Sequence, residues 1–200
     1  MYRHFFKRLL DIVLSLAGLA VFLIPMLIVG ILVMIDSPGP ALFLQKRVGR
    51  NRTYFNIIKF RSMPLSVDHD MPTDRFSEGS SLSRFQTFIR KYSIDELPQL
   101  VNILVGHMSI IGPRPALWNQ YNLVEEREKV GANSVRPGLT GWAQINGRDE
   151  LSDSEKARYD GEYVSRLSFA FDVKCFFMTL GAVIHHRGVS DGTDGGEEKQ

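Results

Sequence analysis

The adjacent carboxylates Asp95 and Glu96, five residues beyond Arg90, are the residues of this chain best suited to chemistry. They stand where a helix is expected to begin. Free backbone N–H groups there can hold phosphate oxygens, and a carboxylate can bind magnesium or attack phosphorus. An anionic substrate would need arginines nearby, and the candidates are Arg90, Arg114 in Gly112-Pro113-Arg114-Pro115, and Arg136 and Arg148, which bracket a glycine-rich loop. Prolines on both sides of Arg114 stiffen its backbone, which suits a guanidinium that must meet phosphate in a fixed fork geometry. Lys59 and Arg61 are either phosphate ligands or solvated strand charges. A purely structural role competes for the carboxylates: Ser93-Ile94-Asp95-Glu96 is a capping-box pattern, and acidic residues in a first helical turn are favoured by the helix dipole. Pro98 would fall inside a helix capped by Ser93, whereas Asp95 as the cap puts Pro98 in the turn that needs no donor. Either register leaves the pair at a helix N-terminus.

Other chemistries lack their signatures. No phosphate-binding P-loop, dinucleotide fingerprint or HExxH pair is present. Cys175 is the only cysteine, which excludes an internal disulfide framework and a cysteine-built zinc site and fits a reducing compartment. His4, His69 and His107 are isolated, and His185-His186-Arg187 reads as a basic helix end near a membrane surface. A net charge of +2 does not mark a nucleic-acid binder, and none is expected as a partner.

The elements that must position these groups begin with an uncharged run from Ile12 to Ile35, long enough as a helix to cross a hydrocarbon core of ~30 Å. A cleavable signal peptide fits poorly, because the apolar run is too long and Asp36-Ser37-Pro38-Gly39-Pro40 offers no small-x-small cleavage site. Arg3, Lys7 and Arg8 precede the run and Lys46, Arg47, Arg50 and Arg52 follow it, so both flanks look cytoplasmic. Pro25 denies the Val21 carbonyl its helical hydrogen bond and tends to kink the chain. A bent, re-entrant helix satisfies both observations, and a straight anchor with a tolerated proline is the alternative.

Beyond it, Ala41 to Met63 is expected to contribute strand to a small sheet, with Tyr54, Phe55, Ile57, Ile58 and Phe60 as its β-formers. Ser62 to Ser83 reads as a long loop over a site. Helices are expected over Arg84 to Lys91, from near Ser93 to Gly106 with Leu97, Leu100, Val101 and Leu104 on one face, over Leu117 to Lys129, and from the capping box Ser152/Glu155 to about Arg166. The aromatic stretch Ser168 to Ile184 suits either a core helix or one lying in a membrane interface. The glycine-rich, acidic end is expected to be disordered. The whole reads as an α/β chain, mainly helical with a small sheet, divided into a membrane segment at 1–36, a catalytic domain at 37–189 and a tail at 190–200.

The ordered motif set resembles the bacterial sugar transferase family, the monotopic phosphoglycosyl transferases, in the small form that consists of the catalytic domain alone. The match runs from Phe6-Lys7-Arg8 and the proline-broken helix through Gln45-Lys46-Arg47-Val48-Gly49 and Lys59-Phe60-Arg61-Ser62-Met63. It continues to Asp95-Glu96-Leu97-Pro98-Gln99-Leu100, Gly112-Pro113-Arg114-Pro115, the Arg136 to Arg148 loop and Phe171-Asp172-Val173-Lys174. One departure is Ile24 before Pro25, where the family usually has serine.

The resemblance implies a re-entrant helix, a compact catalytic domain and interfacial amphipathic helices at the cytoplasmic face of the bacterial inner membrane. It implies that Asp95 attacks the β-phosphate of a UDP-sugar, releases UMP and forms a phosphosugar-enzyme intermediate that polyprenol (undecaprenyl) phosphate resolves. Mg2+ would sit against Asp95, with Glu96 deprotonating or orienting the acceptor and Arg90 and Arg114 binding phosphate. Lys59, Arg61, Arg136, Gln144 and Arg148 are assigned to nucleotide or sugar contacts, and Gln120, Tyr121 and the Trp142 region to sugar choice. Membrane lipid and downstream glycosyltransferases are the further partners. The competing readings are a non-enzymatic membrane-surface module, which predicts no metal-dependent turnover, and a nucleotide-sugar hydrolase, which predicts product without a lipid acceptor.

Overall fold

The computed structural model describes residues 2–64, 82–147 and 150–184. The fold is mainly helical, and the strands among the described residues form two two-stranded sheets where the sequence predicts one. The long loop expected between Ser62 and Ser83 lies mostly outside the described residues, as do Arg148, the 185–187 helix end and the tail.

Helix α1 (Lys7–Asp36) takes up the uncharged run and continues through Pro25. It is long and apolar enough to cross a membrane, and only 11% of its most apolar stretch is buried inside the protein, unlike the core helix of a soluble fold. Its inward stripe follows helical spacing: Asp11, Ser15 and Val33 are buried, and Gly18, Leu19, Met26, Val29 and Gly30 are partly so. Val21 to Pro25 are all exposed between the two halves of that stripe.

Strands β1 (Leu42–Val48) and β2 (Tyr54–Phe60) pair antiparallel, with Leu42 opposite Phe60 and Val48 opposite Tyr54. Their turn runs through Asn51 at φ 53° and Arg52 at φ 61°. Helix α2 (Arg84–Lys91) opens with a capping box from Ser83 and Gln86. Helix α3 (Gln99–Val105) ends at Gly106, whose φ of 96° suits the residue that closes a helix in the left-handed region. Phe55 and Ile57 of the hairpin pack on Leu100, Ile103 and Met108 to form the first core cluster. The buried face of α3 is thus Gln99, Leu100, Asn102 and Ile103, rather than the face through Leu97, Val101 and Leu104, because Asn102 anchors the hairpin through the Ile58 amide and the Asn56 carbonyl.

Strands β3 (Ser109–Ile111) and β4 (Gly138–Thr140) pair in parallel. A Cβ on Gly112 would lie 2.6 Å from the Arg136 carbonyl oxygen, so glycine permits the close approach that joins these two segments. Between them lies α4 (Tyr121–Lys129), and after them come α5 (Trp142–Ile145), α6 (Asp153–Ser165) and α7 (Phe169–Ile184). The Ser152/Glu155 capping box opens α6 as expected. Helix α4 starts at Tyr121 instead of Leu117, because Gln120 folds back to accept from the Leu117 amide. Ile111, Trp142, Tyr163, Phe171 and Cys175 form the second core cluster. Both readings of the aromatic stretch find a face on α7: Phe171 and Cys175 are in the core, while Phe169, Phe176, Phe177 and Leu180 are exposed.

Candidate active site

Asp95 and Glu96 occupy a single 3-10 turn, Ile94–Glu96, wedged between α2 and α3. Ser93 enters it with φ 54°, its side chain caps nothing, and Pro98 is the N-cap residue of α3. Neither capping register expected from the sequence forms. The carboxylates are therefore not occupied by helix N–H groups, and they turn towards the hairpin and the loop after β3.

Glu96 Oε1 accepts from Lys59 Nζ at 2.8 Å and from Arg114 NH2 at 2.9 Å. Asp95 Oδ2 accepts from Ser62 Oγ at 3.1 Å. Lys59 lies near the end of β2 and Ser62 two residues beyond it, so one strand end serves both acids. Arg114 is held from three sides. The Gly138 amide donates to the Pro113 carbonyl at 2.8 Å, Arg47 NH1 donates to the Pro115 carbonyl at 2.9 Å, and the Val48 amide donates to the Ala116 carbonyl at 2.9 Å. Arg47 is itself buried and held by Gln45 on the same face of β1. These two are positioning residues whose motif, Gln45-Lys46-Arg47-Val48-Gly49, stands out in the sequence without a role, and their alternate spacing on a strand is the signal for a shared face.

The two acids are both buried but are pushed in opposite directions. Burial would raise Glu96, but Arg114 and Lys59 outweigh it and hold this carboxyl well below the usual range. For Asp95 burial prevails and the adjacent Glu96 charge adds to it, against Lys59, Arg90 and the Ser62 hydrogen bond, so its carboxyl is raised. Burial lowers Lys59 despite the Glu96 charge beside it. One acid is thus held firmly ionised, while its neighbour gains stability when a cation or proton approaches.

Glu96 and Arg114 stand at the edge of a groove of about 480 Å³ that runs along Leu14, Gly18 and Phe22 of α1 and Phe176 and Leu180 of α7. Gln144 also borders it. Its Nε2 donates to the Leu139 carbonyl at 3.2 Å, and its Oε1 is buried without a partner among the described residues.

Of the residues singled out from the sequence, Asp95, Glu96, Lys59, Arg90, Arg114 and Gln144 come together at this end of the molecule. Arg61 does not: it is 3% exposed and donates to the Ser37 and Pro38 carbonyls, which fixes the exit turn of α1. Arg136 does not either, since its Nε donates to the Gly106 carbonyl at the far end of α3. Arg148 lies outside the described residues. Gln120 is consumed by the local Leu117 contact, Tyr121 is exposed, and the Trp142 indole donates to Glu162 away from the acids.

No group of three or more His, Cys, Asp or Glu side chains suited to a metal occurs among the described residues. That does not disqualify magnesium, which is commonly held by one or two carboxylates together with substrate phosphates and waters. Asp95, with a raised carboxyl and a hydrogen bond from the Ser62 hydroxyl, fits such a ligand, whereas Glu96 is already engaged by two cations.

A buried acid pair ringed by cations at the mouth of an apolar groove is a place to handle phosphate carried on an apolar molecule. Residues 2–186 match the family model described as bacterial sugar transferase. The chain belongs to that family. It is 40% identical over 195 residues to an undecaprenyl-phosphate glucose phosphotransferase of Komagataeibacter xylinus, covering 90% of this chain and 36% of that protein. It is 37% identical over 182 residues to the UDP-glucose:undecaprenyl-phosphate glucose-1-phosphate transferase of Escherichia coli (strain K12), covering 87% of this chain and 39% of the relative. The chain thus spans less than two fifths of each of these two relatives. It is also 36% identical to the uncharacterized sugar transferase EpsL of Bacillus subtilis (strain 168), here covering 92% of this chain and 89% of the relative.

Proposed function

We propose that this chain transfers a sugar 1-phosphate from a UDP-sugar to polyprenol phosphate and releases UMP, as a membrane step in the assembly of a bacterial glycoconjugate. The observation that carries the reading is the buried pair Asp95 and Glu96, gathered with Lys59, Arg90 and Arg114 where Glu96 and Arg114 line the groove between α1 and α7. A polyprenyl chain cannot cheaply leave the bilayer and a nucleotide sugar cannot enter it, so a reaction between them belongs at such a boundary.

In this reading an Asp95 carboxylate oxygen attacks the β-phosphorus. The bond from that phosphorus to the bridging oxygen breaks, UMP leaves with the electron pair, and the sugar phosphate is carried on Asp95 as an acyl phosphate. A phosphate oxygen of the polyprenol phosphate then attacks the same phosphorus and the Asp95 carboxylate departs, giving a polyprenyl diphosphosugar. Arg114 and Lys59 hold Glu96 ionised, which suits it to orienting the acceptor and makes it a weak base for taking a proton. Mg2+ bound by Asp95 and the diphosphate would supply charge neutralisation. The buried Gln144 Oε1 is suited to accept from a sugar hydroxyl or amide.

The membrane reading is re-entrant, with the catalytic domain on the cytoplasmic face. Asp11, near the start of α1, accepts from Ser109 and from the Ile110 amide, while Asp36, at its end, accepts from Ser83. Those ends are 25 residues apart, about 38 Å along a straight helix, and a straight crossing would put them on opposite sides of the bilayer. The exposed stretch Val21 to Pro25 would then be the part that dips into lipid.

The test is UMP release from a panel of UDP-sugars with magnesium, with and without polyprenol phosphate, comparing wild type with Asp95→Asn. Sustained turnover that needs the lipid and is lost in the variant is expected. Equal sustained turnover without lipid would favour hydrolysis, and equal rates in the variant would remove Asp95 as nucleophile.

A further inference from the structure

Arg136, drawn away from the acids, joins a second concentration of charge at the other end of α3, about 10 Å along the helix from the dyad. Arg3, Lys7, Arg8, Arg50 and Arg136 line a cavity of about 90 Å³, and Arg50 and Arg136 also line an adjoining one of about 220 Å³ beside Asn51 and His107. Part of this charge has a structural use. Arg8 donates to the Ile103 and Leu104 carbonyls at 2.6 and 2.7 Å, and Arg136 donates to the Gly106 carbonyl, so both cap the C-terminus of α3. Lys7 is paired with Asp172 at 2.7 Å.

Capping does not account for the rest. Arg3 donates to the neutral Ser134 hydroxyl at 2.8 Å. The carboxylate in the cavity, Asp11, is already shared by the Ser109 hydroxyl and the Ile110 amide. Among the described residues, four guanidinium groups therefore face one carboxylate, and Arg136 feels, after burial, the like charges of Arg50 and Arg8. Like charges gathered around a cavity at a cost in repulsion are what an anion would relieve.

Location selects the anion. The cavity adjoins the first turn of α1, directly before the uncharged run from Ile12 to Ile35, and Phe5 and Phe6 beside it are exposed at 61% and 43%. A phosphate seated between Arg50 and Arg136 would leave an attached acyl tail free to lie along these apolar side chains. We infer that this cavity is a binding site for the phosphate headgroup of an anionic membrane lipid, separate from the dyad, that fixes the depth and orientation of the chain at the membrane surface. Guanidinium forks suit phosphate oxygens, and basic pockets at the membrane surface recognise anionic headgroups.

The test titrates the detergent-solubilised full chain, without nucleotide sugar, with short-chain phosphatidylglycerol, short-chain phosphatidylcholine or inorganic phosphate, and follows thermal stabilisation to obtain apparent affinities. Phosphatidylglycerol should stabilise the chain far more than phosphatidylcholine, and Arg50→Gln should weaken that affinity about fivefold, the effect of one cation near an anionic surface. Arg3→Gln should add a similar factor. Arg52→Gln, a neighbouring charge that lines neither cavity, should change it less than twofold and serves as the control for net charge. A lipid-free melting temperature like that of wild type identifies Arg50→Gln as folded, and Arg3→Gln carries the test alone otherwise. Equal stabilisation by the two lipids, or equal losses in Arg50→Gln and Arg52→Gln, would overturn the site. Stabilisation by inorganic phosphate matching that by phosphatidylglycerol would overturn the lipid as its occupant.

Discussion

Two buried acidic clusters in this molecule use the same side-chain types for different ends. In the first, Asp160 on α6 is fully buried and its Oδ2 accepts from Arg127 of α4, through Nε at 2.8 Å and NH2 at 2.6 Å. That carboxylate is clamped by one arginine, with Lys156 as a further cation acting on it, and is sealed between two helices. In the second, Asp95 and Glu96 meet Lys59, Arg90 and Arg114 where Glu96 and Arg114 line a groove, and Asp95 accepts from the Ser62 hydroxyl. Burial raises both Asp160 and Asp95. Burial and a shifted pKa therefore do not separate a structural acid from a chemical one. What differs between the two clusters is access: Glu96 and Arg114 line a groove, whereas Asp160 is sealed.

The comparison breaks first at Asp95. Asp95→Asn should lower lipid-dependent UMP release by about 10⁴-fold or more, the scale of losing a covalent nucleophile, while Asp160→Asn leaves the rate per folded molecule within a few-fold. The reverse holds for stability. Arg127→Ala strands a buried carboxylate and should cost about 3–5 kcal/mol, read as a loss of roughly 10 °C in melting temperature, whereas Arg127→Met with Asp160→Leu should recover most of it. Arg114→Gln sits between the two extremes: removal of one phosphate-facing donor in a low-dielectric site should reduce the rate by about 10²-fold, with a smaller loss of stability.

The smallest effect concerns pH. The Asp95 carboxyl is raised in the folded chain, so its contribution to stability is fully present below the ordinary aspartate value, about 3.9, and is lost as pH rises through the folded value. Asp95→Asn, although inactive, should therefore be more stable than wild type by about 1 kcal/mol at neutral pH, and the difference should shrink in acid. Glu96 has the opposite sign. Its depressed carboxyl contributes stability above the ordinary glutamate range that is lost as pH falls towards the folded value, so Glu96→Gln should be less stable than wild type at neutral pH. Melting temperatures of the three proteins across pH 3 to 8 would check both signs.

Much of the scaffold was legible because it rests on local periodicity and turn chemistry. The uncharged run gave α1, the β-formers around Phe55 and Ile57 gave the hairpin strand, and Ser152 with Glu155 marked the start of α6. The second sheet was not legible, because two three-residue strands carry no period and pair across 26 residues of intervening chain between Ile111 and Gly138. At the site, sequence placed the acids but could not choose between capping and chemistry. The capping register is removed by the left-handed Ser93, which has no sequence signature of its own. The backbone contacts of Arg61 and Arg136 were not legible for a related reason: an arginine in a motif announces that it binds oxygen, not whose oxygen, and here both donate to backbone carbonyls.

The most direct measurement of the central claim is the intact mass of the protein after mixing with a UDP-sugar and magnesium in the absence of polyprenol phosphate, followed by peptide mapping. A mass increase equal to one sugar phosphate, located on the peptide that contains Asp95, discharged by added polyprenol phosphate and absent in Asp95→Asn, is the predicted result. An active preparation that never gains this mass, and releases UMP only when donor and acceptor are present together, would contradict the covalent role of Asp95.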